Sequence, residues 1–464
     1  MADVRSFEEA LMARVPEGAL MQRAAHALSV HCAALLGTVY GASVTLLVGG
    51  GNNGGDALYA GAGLARRGAR VTALLLDRSR AHAGGMAALR AAGGRVLDAS
   101  PELVGADLVV DAMLGIGGRG GLRDAAVELA DAASDYLTVA VDLPSGVDAD
   151  TGEVGESAVR ADVTVTFGVL KAGLVIGAGA ALAGEVRLVD IGLSPSPATV
   201  HVLEAADVRA VLPEPDASDD KYTRGVVGVV AGSSEYGGAG VLSTGSALHG
   251  GSGMVRYAGS APDAIRARYP EVVVQSSRPS ELRVQSWVVG PGMGTDSSAD
   301  ALLRDVLSTG VPVIVDADGL TLLADDLDLV RSRSAPTVLT PHDREFARLF
   351  GEVGADRLGA ARRAAAAVDA VVLLKGNGTV VAAPDGSAFI NPTGTPWLGT
   401  AGSGDVLSGL LGSLLAAGLG APLAAAVAAY VHGVAGQRAA TSGPPTAADV
   451  LAELRSTLHA LEVG

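Results

Sequence analysis

One pattern constrains this chain more than any other: an alternation that runs through it, breaks once, and begins again. Short β-branched or Leu-rich runs alternate with Ala-, Leu- and Arg-rich stretches of helical character. A parallel strand covered on both faces reads as a continuous apolar run, and its return path is usually a helix. The pattern therefore requires βαβ units and largely parallel sheets, an α/β fold. In the first half, strands are expected at residues 44–48, 71–76, 108–110, 138–141 and 163–167, with helices over 55–67 and 122–133. After Val189-Asp-Ile-Gly-Leu the chain turns polar and proline-rich, in Ser194-Pro-Ser-Pro and in Pro213-Glu-Pro-Asp-Ala-Ser-Asp-Asp, as linkers do. Alternation restarts at 226–231 and continues through 287–289, 313–315, 337–339 and 371–374. Runs at 379–382 and 388–391 flank Pro384-Asp-Gly-Ser, a hairpin signal. The expected division is 1–205 and 206–464, two domains for a chain of 464 residues.

Composition removes several classes. Lys plus Arg is 34 against 50 for Asp plus Glu, so 34 − 50 gives a formal charge of −16. That sign opposes nucleic-acid binding, which rests on neutralising phosphates. Five Phe, two Trp and eight Tyr are too few for a base-stacking platform. A single cysteine, Cys32, excludes an intrachain disulfide or a cysteine metal cluster and is expected as a small buried apolar residue. The N-terminus is charged and has no signal-peptide apolar stretch. Residues 406–437 carry no charge, but Gly418-Leu-Gly-Ala-Pro divides them into two helices, each too short to span a bilayer. A cytoplasmic protein without a membrane partner is expected.

Chemistry in the first half gathers at strand ends. The run 44–48 leads into Gly49-Gly-Gly-Asn-Asn-Gly-Gly-Asp, a glycine-rich turn that offers backbone N–H groups to a phosphate at a helix start. Two further strands end in aspartate. Asp111 is followed by Met-Leu-Gly-Ile-Gly-Gly-Arg-Gly-Gly, and Asp142 by Leu-Pro-Ser145-Gly. Ligands of open α/β sheets bind outside the carboxyl ends of the strands, so Asn53, Asp111 and Asp142 are expected to converge. Each alone could be a turn former or cap. Together these segments resemble the NAD(P)H-hydrate epimerase domain, a Rossmann-like three-layer fold, over most of residues 1–205. The resemblance implies that Asn52, Asn53, Gly54, Gly55 and Asp56, the loop Gly115, Ile116, Gly117, Gly118, Arg119, Gly120 and Gly121, and Asp142 bind the hydrated nucleotide. It also implies a potassium site of Asn53, Asp111 and Ser145. Asp142 is the candidate acid or base. Ala57 follows Asp56 where that family usually has glycine.

The strongest motif of the second half is Thr400-Ala-Gly-Ser-Gly-Asp405, opening an apolar helix. Its amides suit a phosphoryl group, and Asp405 is placed to accept a proton from an attacking hydroxyl. Lys375-Gly-Asn-Gly-Thr follows a strand, offering a cation and backbone donors, or else a surface turn with a solvated lysine. Thr340-Pro-His-Asp-Arg-Glu sets His342 and Glu345 past another strand end, where the histidine could equally cap a helix. Asp316 and Asp318 end a further strand, as turn formers or as water-mediated magnesium holders.

These segments, with Lys221-Tyr-Thr-Arg-Gly, Gly237-Gly-Ala-Gly and Val289-Gly-Pro-Gly-Met-Gly, resemble the ribokinase-like superfamily and, more narrowly, its ADP-dependent NAD(P)H-hydrate dehydratases, over about 206–464. The resemblance implies an α/β/α domain. In it Ala239, Gly294, His342 and Asp405 contact the hydrate, while Lys375, Gly376, Asn377, Gly378, Thr379 and Gly404 contact ADP, which carries Mg²⁺. Gln437 stands where that family often has Asp, in a helix expected to be structural. A fused repair enzyme and a homo-oligomer are expected from these resemblances. A small-molecule kinase of the same superfamily and a nucleotide-binding scaffold or sensor are the alternative readings.

Overall fold

The computed structural model describes residues 2–103, 105–118, 121–194 and 198–463. The chain divides into two compact units, Met1–Ala198 and Thr199–Gly464.

In the first unit seven parallel strands form one sheet: β1 (Ser43–Val48), β2 (Arg70–Leu75), β3 (Arg95–Asp98), β4 (Leu108–Ala112), β5 (Thr138–Val141), β6 (Val163–Phe167) and β7 (Glu185–Val189). Their order is β3-β2-β1-β4-β5-β6-β7. Successive residues of each strand serve opposite faces. Leu46, Val48 and Val110 pack with Leu28, Cys32 and Leu58 of the helices Ala19–Leu36 and Asn52–Arg66. Leu47 and Val109 pack on the other face with Leu129 of Ala125–Ala133. This is the three-layer arrangement that continuous apolar runs require, each buried Leu or Val contributing about 1.5–3 kcal/mol. Cys32 is fully buried, and burial pushes its thiol up to about 12. Strand order reverses between β1 and β4, so their outgoing loops part there and leave a crevice.

The second unit has a ten-stranded sheet: β8 (Val200–Val202), β9 (Val226–Val230), β10 (Met254–Tyr257), β11 (Val273–Val274), β12 (Ser286–Val289), β13 (Val313–Val315), β14 (Thr337–Leu339), β15 (Val371–Leu374), β16 (Val380–Ala382) and β17 (Ala388–Ile390). The order is β11-β10-β9-β12-β13-β14-β15-β16-β17-β8. The expected hairpin is present: β16 pairs antiparallel with β15 and β17, and β8 adds parallel to β17. Val227, Val288 and Ile314 face one helix layer, which includes Ser403–Ala416 and Ala421–Ala440. Val226, Trp287 and Val315 face the other, which includes Ser297–Leu307. The charge-free stretch thus becomes two core helices. Among the described residues no helix is long and apolar enough to cross a membrane.

The linker expectation needs correction. The stretch from Pro213 is a loop inside the second unit, between the helix Ala205–Val211 and β9. The second unit begins at Thr199, within about ten residues of the expected boundary, because β8 belongs to its sheet. Pro195–Pro197 of the Ser-Pro segment lie outside the described residues. Strands β3, β7, β8, β10 and β11 were not expected. They are short, lie toward the sheet edges and carry polar residues, as Arg95-Val-Leu-Asp does.

Candidate active sites

In the first unit the helix opens at Asn52, not at Gly55, so Asn52, Asn53, Gly54, Gly55 and Asp56 form its first turns and Gly49-Gly-Gly alone makes the bend. A side chain at Gly49 would overlap the backbone carbonyl of Met113, so only glycine lets the β1 and β4 loops pass this closely. Three strand ends are then knitted together. Asn53 Nδ2 donates to the Leu114 carbonyl at 3.0 Å. Leu114 N–H donates to Ser145 Oγ at 2.8 Å, and Ser145 Oγ donates to Asp111 Oδ1 at 2.6 Å. Ser145 N–H reaches Asp111 Oδ2 at 2.7 Å, and Met113 N–H reaches Oδ1 at 3.2 Å. Asp111 is fully buried; burial raises its carboxyl to about 6 against these hydrogen bonds.

Gly115, Ile116, Gly117, Gly118 and Gly121 continue this loop, whereas Arg119 and Gly120 lie outside the described residues. A cavity of about 450 Å³ lies between this loop and the segments around Pro144 and Glu153, within the size range of small-ligand pockets. Neither Asp56 nor Asp142 lines it.

Asp142 follows β5 with φ +67°, a left-handed conformation that costs a non-glycine residue about 1–3 kcal/mol. Its Oδ1 accepts from Lys171 Nζ at 2.5 Å, Thr166 Oγ1 at 3.0 Å and Phe167 N–H at 3.3 Å. Burial and the Asp142 charge raise the carboxyl of Glu8, in the helix Ala2–Met12, while Lys171 and Arg5 lower it. Sequence reasoning missed both Lys171 and Glu8. Lys171 follows the end of β6 by four residues and could have been found by the strand-end rule; Glu8 carries no local signal.

In the second unit the site residues follow the carboxyl ends of β12, β13, β14 and β15, to one side of the order reversal between β9 and β12. Gly294 N–H donates to Asp318 Oδ2 at 2.9 Å, and Gly292 packs closely against Ala239. His342 caps the helix Asp343–Phe350, its Nδ1 accepting from Arg344 and Glu345 N–H at 3.1 and 3.2 Å. The capping reading is therefore met, and the imidazole remains half exposed. Lys375 is not a solvated surface lysine. Its side chain is 19% exposed, and Nζ lies 2.7 Å from Asp316 Oδ1 and 3.7 Å from Glu345 Oε2. Burial works against its charge, but Asp316, Glu345 and Asp405 outweigh it and raise its pKa.

Asp316 is buried and also accepts from Ser408 Oγ at 2.7 Å and Ala317 N–H at 2.9 Å. Both its oxygens are thus engaged by the protein. Gly376, Asn377, Gly378 and Thr379 form a tight turn in which Thr379 Oγ1 donates to the Gly376 carbonyl at 2.9 Å. Above Lys375, Gly402 takes φ +89° and the helix Ser403–Ala416 begins, setting Gly404 over the Lys375–Asp316 pair and Asp405 in its first turn. Burial, then repulsion from Asp316, pushes Asp405 up to about 7, with Lys375 opposing. Ser408 and buried His432, whose ring is hydrogen-bonded to the Ser403 backbone, are partners that no sequence motif marked. Gln437 Nε2 donates to the Thr393 carbonyl at 2.8 Å, a structural role.

Two family descriptions match the two units: "YjeF-related protein N-terminus" over residues 17–173 and "NAD(P)H-hydrate dehydratase" over 227–456. The second unit resembles the crystal structure of a Bacillus subtilis ADP/ATP-dependent NAD(P)H-hydrate dehydratase co-crystallised with ATP/Mg²⁺. Identity is 30% and the TM-score 0.51, over 56% of this chain and 98% of that one. A bifunctional NAD(P)H-hydrate repair enzyme of Mycobacterium tuberculosis is 50% identical over 88% of this chain and 86% of its own. One from Mycobacterium leprae is 50% identical over 99% of both chains. With both units matched and half the residues shared end to end, the chain belongs to the family of bifunctional NAD(P)H-hydrate repair enzymes.

Proposed function

We propose that this chain restores hydrated NADH and NADPH, the first unit interconverting the R and S hydrates and the second dehydrating the S form with ADP. The observation that carries the reading is Asp405. It sits at the start of the Gly-Ser-Gly helix turn, its carboxyl held near neutrality where a general base is most effective. The C6 hydroxyl of the hydrate is a poor leaving group. Asp405 removes its proton as the oxygen attacks the β-phosphorus of ADP, and AMP departs. The ring-nitrogen lone pair then expels phosphate from C6, and loss of a C5 proton restores the dihydronicotinamide. Ala239, Gly294 and His342 border the hydrate, and Lys375–Thr379 with Gly404 border the nucleotide. Among the described residues no group of three His, Cys, Asp or Glu is poised to hold a metal, so Mg²⁺ fits as an ion carried by the phosphates. Bound there, it neutralises phosphate charge.

The knot of Asn53, Asp111 and Ser145 offers hard oxygens and one buried carboxylate, a donor set that fits potassium; the ion would balance the Asp111 charge and brace the substrate loop. The test of the whole reading is incubation with mixed R and S hydrates, ADP and Mg²⁺. Dihydronicotinamide absorbance should return with one free phosphate and one AMP per turnover. Accumulation of a phosphate ester would instead identify a kinase.

A further inference from the structure

Four ionisable groups from four segments act on one another electrostatically in the first unit: Glu8, Asp56, Asp142 and Lys171, the last two in direct contact. Lys171 is 1% exposed in its side chain and spends all three ammonium protons, on Asp142 Oδ1, Thr166 Oγ1 at 3.0 Å and the Phe167 carbonyl at 2.9 Å. Three donors therefore grip one oxygen of Asp142, while Oδ2 has no hydrogen-bond partner among the described residues. Asp56 is treated differently. Its Oδ1 is buried without a partner. Burial, then the charges of Asp142 and Glu8, raise its pKa well above the ordinary carboxyl value. A gripped carboxylate beside an unpaired carboxyl is the arrangement that separates base from acid.

Resting on the epimerase reading of this unit, we propose that Asp56 donates and Asp142 accepts the proton in epimerisation at C6, with Lys171 as the residue that positions Asp142. The C6–O bond of the R hydrate breaks with both electrons going to oxygen, which takes the Asp56 proton and leaves as water. The N1 lone pair closes a C6=N1 iminium, and the excess of carboxyl groups over cations favours that positive charge. A water molecule adds to C6 from the opposite face and passes its proton to Asp142 Oδ2. One water leaves and one enters; solvent returns the two carboxyls to their starting states.

The full-length chain decides this with ADP, Mg²⁺ and separated epimers. In H₂¹⁸O, every R-to-S conversion by the wild-type chain should place ¹⁸O at C6, and dehydration should carry it into the released phosphate; phosphate from R that keeps the original ¹⁶O would show ring opening and overturn the proposal. Asp56→Asn, nearly isosteric, should slow consumption of R by about 100-fold or more and leave that of S unchanged. Lys171→Ala should be similarly slow and partly restored by added methylamine, and Lys171→Arg should keep more activity than Lys171→Met. An Asp56→Asn variant with near-normal R consumption would sink the proposal alone. A wild-type chain that does not speed R consumption at all would instead sink the epimerase reading.

Discussion

Single residues set the chemistry, and Asp405 shows how stability and activity oppose one another. Its carboxyl is ordinary, near 3.8, in the unfolded chain and about 7 in the folded one. A raised carboxyl pKa penalises the fold as pH climbs from about 4 through 7 and not below that range. At about 1.36 kcal/mol per pH unit the penalty is capped near 4 kcal/mol. Asp405→Asn should therefore lower dehydration by about 100-fold or more. It should also raise the melting temperature at pH 8, a gain that vanishes toward pH 4. Equal melting at both pH values would disprove the buried, raised carboxyl. In the wild type, kcat/KM for the S hydrate should fall as pH drops below about 7. Asp111→Ala tests the potassium knot. It should abolish any stimulation of R consumption by K⁺ and leave S dehydration intact. A rubidium crystal should show an anomalous peak beside Asn53, Asp111 and Ser145 in the wild type only. A simple cap would cost about 0.5–2 kcal/mol without ion dependence.

Secondary-structure elements bring these residues together, and β8 makes a sharp case. It covers the outer edge of β17, and Arg362 Nη2, on the helix Arg357–Val368, donates to the Thr199 carbonyl at 3.1 Å. A chain cut to 206–464 should unfold at lower denaturant concentration than 199–464 and aggregate through the bared β17 edge; identical midpoints would show that β8 contributes nothing. The central strands were legible because burial on both faces writes them as unbroken apolar runs. Val200-His-Val was not, since a three-residue edge strand carries too little pattern to stand out. Strand-end logic pointed to Asn53, Asp111, Asp142 and Asp316, which lie where loops leave a sheet, and the glycine-rich helix start pointed to Asp405. It missed Glu8, on a separate helix, and Ser408, inside an apolar one, because only tertiary packing gives those side chains their partners.

At the scale of the molecule, each unit has its own sheet and its own core. A fragment of residues 199–464 should fold alone and consume the S hydrate at the parent rate, leaving R to spontaneous epimerisation. Rapid use of both epimers by that fragment would show that the first unit is not the epimerase. The two sheets also differ in when they can be completed. The first closes with β7, all of whose partners have already been made when Val189 leaves the ribosome. In the second, Val200 pairs with Ala388, and 388 − 200 leaves 188 residues of synthesis between them. At ribosomal rates of about 5–20 residues per second, β8 waits roughly ten seconds or more, unpaired. Keeping that waiting strand to three residues with a histidine at its centre denies other nascent chains a template to join.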